Sequence, residues 1–143
     1  MFLGEGQHTL DEKGRTTIPA KFKEKLGANP YIAYGDGCVL VFPNTVAAKF
    51  IDKLERLAEE VDIFDDELAE LCSRLLAGTH CEEDAKGRIV IPQLLIEHAG
   101  MTKNLVTTTG GNHLQIWDED RLKAKRAIPK VFSEALKSLK NRD

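Results

Sequence analysis

No apolar run in the 143 residues approaches the ~20 needed to cross a bilayer as a helix. The opening MFLGEGQHTLDEKGR has no basic start, apolar core or small-residue cleavage site, so no secretory leader and a soluble cytoplasmic location are expected. Cysteine is scarce: Cys38, Cys72 and Cys81 are odd in number and irregular in spacing, which argues against a disulfide framework and fits reduced thiols. Catalytic signatures are missing too, with no P-loop, no G-x-S-x-G and no H-E-x-x-H, so neither an enzyme nor a small-molecule substrate is expected. His80 beside Cys81 has no second spaced pair to complete four ligands, so no metal and no cofactor is expected. His8, His98 and His113 are expected to be structural or solvent-facing.

Positive charge is not in excess either. The net charge is −3 and the pI about 5.8, which taken whole disfavours a nucleic-acid binder. Its distribution changes that judgement. Residues 1–43 are neutral, 44–78 carry −5, 79–117 carry −1 and 118–143 carry +3. The acidity sits mainly in the middle, which leaves another face open to a polyanion.

What the chain does have is an internal repeat, which decides the architecture. DEKGRTTIPAKFKEKLG from Asp11 aligns without a gap on DAKGRIVIPQLLIEHAG from Asp84. Asp11, Lys13, Gly14, Arg15, Ile18, Pro19 and Gly27 match Asp84, Lys86, Gly87, Arg88, Ile91, Pro92 and Gly100. Each copy reads strand, turn, strand, short helix, strand, glycine turn, strand, ending on Phe42 or Trp117. In each D-x-K-G-R segment the glycine supplies a positive φ and the aspartate bonds backbone amides, making a hairpin turn. Beyond the turn Thr16 and Ile18, or Ile89 and Ile91, face one way; Arg15 and Thr17, or Arg88 and Val90, face the other.

Pro19 and Pro92 suit the first helical position, and Gly27 and Gly100 suit left-handed helix ends. Asn44 is a candidate N-cap for an amphipathic helix through Val61, followed by a second helix from Leu68 to Gly78. Asp118 starts a helix through Leu122, Pro129 breaks the pattern, and Val131, Phe132, Ala135, Leu136 and Leu139 form a last apolar stripe before a frayed tail.

A unit of about forty residues cannot bury a core alone, whereas two can bury each other. The expected fold class is therefore α+β, with a pseudo-twofold β-core surrounded by helices. The expected segments are a first repeat (1–43), a helical insertion (44–78), a second repeat (79–122) and a C-terminal helix and tail (123–143).

The paired D-x-K-G-R-(x)2-I-P segments, with their following helices and glycine hairpins, resemble the MraZ family, within the wider AbrB-like, swapped-hairpin group of bacterial regulators. The resemblance covers nearly the whole chain. It implies two AbrB-like swapped-hairpin modules closing into one β-barrel-like core. It also implies a nucleoid-associated transcriptional regulator that binds double-stranded DNA at short direct repeats. Such proteins commonly repress the division and cell-wall gene cluster containing their own gene, and assemble as ring-like homo-oligomers. The family's D-x3-R motif falls on Asp11 with Arg15 and on Asp84 with Arg88.

The residues themselves suit that chemistry. Arginine's planar fork bonds phosphate or guanine bidentately, and a hairpin fits the major groove. Arg15 and Arg88 are expected to point outward, with Lys13 and Lys86 at the turn tips adding phosphate contacts and Gly14 and Gly87 allowing close approach. Lys21, Lys23 and Lys25 add charge in the first copy alone, since Leu94, Ile96 and His98 replace them in the second. Other readings stay open. Each aspartate and arginine can pair across a tight turn and merely fix the hairpin, and the lysine run can be a solvated helix face. An antitoxin-like protein–protein module or a ring-forming structural protein could use the same fold.

Overall fold

Both copies of the repeat fold into the same succession of elements in the computed structural model, which describes residues 1–62 and 64–141. The first copy runs β1 (Gly6–Thr9), β2 (Arg15–Thr16), α1 (Ala20–Leu26), β3 (Tyr31–Tyr34) and β4 (Val39–Phe42). Two helices follow, α2 (Asn44–Glu60) and α3 (Asp66–Leu76). The second copy runs β5 (Thr79–His80), β6 (Ile89–Val90), α4 (Gln93–Ala99), β7 (Asn104–Thr109) and β8 (Leu114–Asp118), before α5 (Glu119–Arg126) and α6 (Pro129–Lys140).

The copies are joined strand by strand. A six-stranded antiparallel sheet has the order β1-β7-β8-β4-β3-β5, so the first strand of each copy pairs with the third strand of the other. The fourth strands meet at the centre, where Val39 is opposite Ile116. The second strands form a separate two-stranded ribbon, with Arg15 opposite Val90 and Thr16 opposite Ile89. The fold class is α+β, as expected. The barrel-like closure is not drawn by the ladders, which leave an open sheet and a separate ribbon.

Alternation along the strands sorts their side chains to two faces. One face carries Ile32, Val39, Val41, Leu105, Leu114 and Ile116, all fully buried under the ribbon and the short helices with Ile18, Ile89, Ile91, Phe22 and Leu95. The other face is covered twice: by α2 over Tyr31, Ala33 and Phe42, and by α5 over Val106 and Trp117. Truncating one of these buried aliphatics to alanine costs about 2–5 kcal/mol.

Several helix ends differ from the sequence expectation. Pro19 and Pro92 cap α1 and α4 in extended conformation, one residue before the helix proper. Gly100 takes the left-handed conformation, but Gly27 combines φ 76° with ψ −172°, a region open only to glycine. Asn44 is the first helical residue rather than the cap, and its side chain donates to the Ala28 carbonyl instead. Asp65 caps α3 by accepting from the Leu68 amide, and α3 stops at Leu76 before Gly78. Asp118 caps α5 as expected, accepting from the Arg121 amide, but the helix runs on to Arg126. Pro129 begins α6. The Val131 side chain and the last tail residues, Arg142 and Asp143, lie outside the described residues.

Candidate functional site

The two D-x-K-G-R turns are built alike. Asp11 Oδ1 accepts from the amides of Lys13 and Arg15 at 2.9 and 2.8 Å, and Asp84 Oδ1 accepts from those of Lys86 and Arg88, both at 2.9 Å. The Asp11 amide donates to the Arg15 carbonyl and Gly14 back to Asp11; Asp84, Arg88 and Gly87 repeat the pattern. Gly14 and Gly87 have φ of 76° and 75°, where a side chain would be strained. These bonds put each aspartate and arginine of a turn on the same side.

The ribbon then brings the two turns together. Arg15 Nε donates to Asp11 Oδ2 at 2.8 Å, and Arg88 Nε donates to Asp84 Oδ2 at 2.7 Å. Across the copies, Arg15 Nη1 lies 3.9 Å from Asp84 Oδ2 and Arg88 Nη1 lies 3.7 Å from Asp11 Oδ2. Four charges of alternating sign thus form a closed quartet with pseudo-twofold symmetry. All four side chains are 22–33% exposed. The arginines therefore do not stand clear of their turns, as the strand alternation had suggested. Paired carboxylates draw them in.

Within its own turn each guanidinium pairs through Nε, and across the copies Nη1 makes a longer ionic contact. Among the described residues, no hydrogen bond is made by Nη1 or Nη2 of either arginine, since the cross-copy distances exceed hydrogen-bond length. Each arginine is anchored at Nε, and its side chain stays 27–28% exposed. The carboxylates are firmly ionised. The Arg15 amide and then its guanidinium hold Asp11 below the usual carboxylate range, and Arg88 does the same for Asp84.

Lys13 and Lys86 are exposed at the turn tips. Gly14 is buried: its carbonyl accepts from the Ile91 amide at 2.8 Å, and a Cβ there would stand 3.1 Å from the Ile91 oxygen. The three lysines of α1 divide. Lys23 reaches the second copy's turn, its Nζ donating to the Gly87 carbonyl at 3.1 Å. Lys21 and Lys25 instead hold the N-terminal segment, donating to the carbonyls of Glu5 and Met1. One of the three lysines thus joins the turns.

Beneath the ribbon lies a network that residue type alone did not disclose. Thr16 Oγ1 donates to the Thr9 carbonyl at 2.8 Å, so it accepts from His8 Nδ1 at 2.6 Å; His8 Nε2 in turn accepts from Thr107 Oγ1 at 2.7 Å. Burial lowers the His8 pKa to about 4, so the ring is neutral at pH 7. His8 is thus structural, one of the two outcomes expected of it. Its position three residues before the repeated segment gives no hint of contact with Thr107. Among the described residues no three His, Cys, Asp or Glu side chains gather as metal ligands, and no helix is long and apolar enough to cross a membrane.

Comparison with known proteins follows the same outline. Residues 1–61 and 75–126 match the family described as "MraZ protein, putative antitoxin-like". A protein of Lachnoclostridium phytofermentans named "Transcriptional regulator MraZ" is 37% identical over 123 residues, covering 85% of this chain and 84% of its own. Proteins of the same name are 41% identical in Oenococcus oeni, covering 84% of this chain and 82% of their own length, and 38% identical in Ligilactobacillus salivarius, covering 87% and 85%.

Proposed function

The chain belongs to the MraZ family, and from that premise we propose that it is a sequence-specific DNA-binding transcriptional regulator. Its site is the paired turns: Arg15 and Arg88 meet base edges or phosphates, Lys13, Lys86 and Lys23 add phosphate contacts, and Asp11 and Asp84 build the turns. Lys21 and Lys25, which hold the N-terminal segment, add only general positive charge to the first copy. Gly14 and Gly87 supply the positive φ that each turn needs.

The observation that carries this reading is the quartet, in which each partly exposed guanidinium hydrogen-bonds through Nε and makes only a long contact through Nη1. A guanidinium fixed at Nε by a carboxylate has lost much of its rotational freedom before any ligand arrives. Its Nη1–Nη2 edge still presents a planar fork suited to guanine or phosphate.

The reading includes a cytoplasmic, nucleoid-associated protein that represses the division and cell-wall cluster containing its own gene. Its modules would be AbrB-like swapped hairpins, a topology supported by the reciprocal pairing of first and third strands. One quartet carries no net charge, so useful affinity calls for several of them. A ring-like homo-oligomer on short direct repeats supplies that through effective concentration.

A mobility shift with the chain's own upstream region, over a salt series, tests this. Affinity is expected to fall steeply with salt, with a log–log slope of about −0.9 per phosphate neutralised. Arg15→Ala is expected to abolish the shift while the fold persists. Retained promoter affinity in that variant would favour a protein–protein module on the same scaffold.

A further inference from the structure

Two stretches of the chain fall outside the family match: residues 62–74 and everything after 126. They are opposite in charge, with 62–74 carrying −4 and 127–143 carrying +2. The first holds all but the last two residues of α3 and the second holds α6, and the apolar stripe of each helix is left open. On α3, Leu68 and Leu71 are 45% and 52% exposed, and no residue of that helix is buried. On α6, Phe132, Leu136 and Leu139 follow helical spacing and are 73%, 42% and 67% exposed. These helices, of 11 and 12 residues, are of matching length.

They cannot satisfy one another within a chain. α3 packs against α2 and β3, whereas Phe132 and Ala135 of α6 line a cleft beside Thr108 and Trp117 on β7 and β8. In the sheet order β7 and β3 are separated by β8 and β4, and α3 and α6 accordingly sit over opposite halves of the sheet. An acidic apolar stripe and a basic apolar stripe on one molecule, out of each other's reach, fit a contact between copies.

We propose that α6 of one copy docks on the α3 face of a neighbouring copy, with Phe132, Leu136 and Leu139 against Leu68 and Leu71. Lys137 and Lys140 then lie beside the acids Asp66 and Glu67, next to Glu70 in its pair with Arg74 at 2.9 Å. Two different surfaces meet, so the contact is heterologous and repeats from copy to copy, closing a ring if the rotation allows. It is an addition to whatever surface the matched part of the chain provides. The inference rests on the self-assembly proposed above and is independent of DNA binding.

Disulfide trapping reads the contact directly, because the partly buried Cys72 already lies on α3 while Cys38 and Cys81 are buried. The unaltered chain, bearing only Cys72 on these helices, is mixed with a size-tagged chain carrying Cys72→Ser and Leu136→Cys, then mildly oxidised. The expected product is an adduct of mixed size, lost when Leu71→Asp is added to the untagged partner. Oxidised pairs of the untagged chain alone would mean that α3 packs on α3, and would overturn the proposal. So would the absence of adduct at concentrations where light scattering shows an oligomer. A monomer by light scattering would instead remove the self-assembly on which the contact rests, leaving DNA binding to be judged by the mobility shift. Co-sedimentation with vesicles of anionic phospholipid, abolished by Leu136→Asp and unaccompanied by adduct, would make α6 a membrane-surface helix and equally overturn the docking.

Discussion

Arg15 and Asp84 belong to different copies of the repeat, yet the guanidinium of one stands 3.9 Å from the carboxylate of the other. With its mirror pair, Arg88 and Asp11 at 3.7 Å, this ties the two turns into one electrostatic unit. A change in either turn therefore acts on both.

Substituting one arginine separates charge from geometry. Arg15→Lys keeps the cation but removes the Nε anchor and the planar fork. Its affinity for promoter DNA is expected to fall by roughly 5- to 150-fold, the equivalent of about 1–3 kcal/mol for one bidentate contact. Thermal stability should change little, since a partly exposed pair contributes about 0–1 kcal/mol. Fluorescence anisotropy and a melting curve on the same preparation check both statements. Affinity equal to that of the unaltered chain would show that charge alone suffices.

The aspartates make the opposite prediction. Asn at position 11 or 84 keeps an oxygen for the turn amides but removes a negative charge beside both guanidinium groups. The Asp11→Asn/Asp84→Asn double variant is expected to bind unrelated duplex more tightly and to discriminate its own promoter less well. Competition titrations with specific and random duplexes measure the ratio. A ratio that holds constant would mean the carboxylates do not orient the forks.

Gly14 tests the backbone. With φ at 76° and the Ile91 oxygen 3.1 Å from where a Cβ would sit, Gly14→Ala is strained twice over. Destabilisation of about 1–3 kcal/mol is expected, read as a shift of the urea midpoint. Gly111→Ala also has a positive φ, of 90°, but meets nothing within 4 Å and should cost less.

His8 sets a pH window. Its pKa falls from 6.5 in the unfolded chain to about 4 in the folded one. Between those values the unfolded chain binds the extra proton. Its contribution to stability is therefore present above pH 6.5 and is lost as the pH drops toward 4. The loss is at most about 3 kcal/mol. Urea titrations at several pH values, with His8→Gln as control, check it: the variant is expected to show a flatter profile across that window.

Much of the fold was legible because local chemistry carried it. The gapless repeat fixed the order of elements, and the Asp11 and Asp84 turns followed from aspartate and glycine chemistry. The burial of Ile18, Ile89 and Ile91 followed from alternation. What periodicity could not show was partnership. Nothing in the spacing says that β1 pairs with β7 or that β2 pairs with β6, and it is the β2–β6 ribbon that sets Arg15 against Asp84. The same limit hid His8: its bond to Thr107 joins residues far apart in sequence. It also separated the lysines of α1, since only a tertiary structure tells Lys23, on the Gly87 carbonyl, from Lys21 and Lys25, which hold the chain's start.

The two turns are equal in backbone but not in what covers their tips. Ile96 of the second copy lies against Gly14, while Lys23 of the first lies against Gly87. The pair of turns accordingly has an apolar side and a cationic side, and a half-turn exchanges the two. Such an object has a direction. On the DNA-binding reading proposed above, copies laid side by side in the same orientation would each meet the same strand polarity, as tandem sites require. A dimer of identical halves could not make that distinction, whereas two halves written into one polypeptide can.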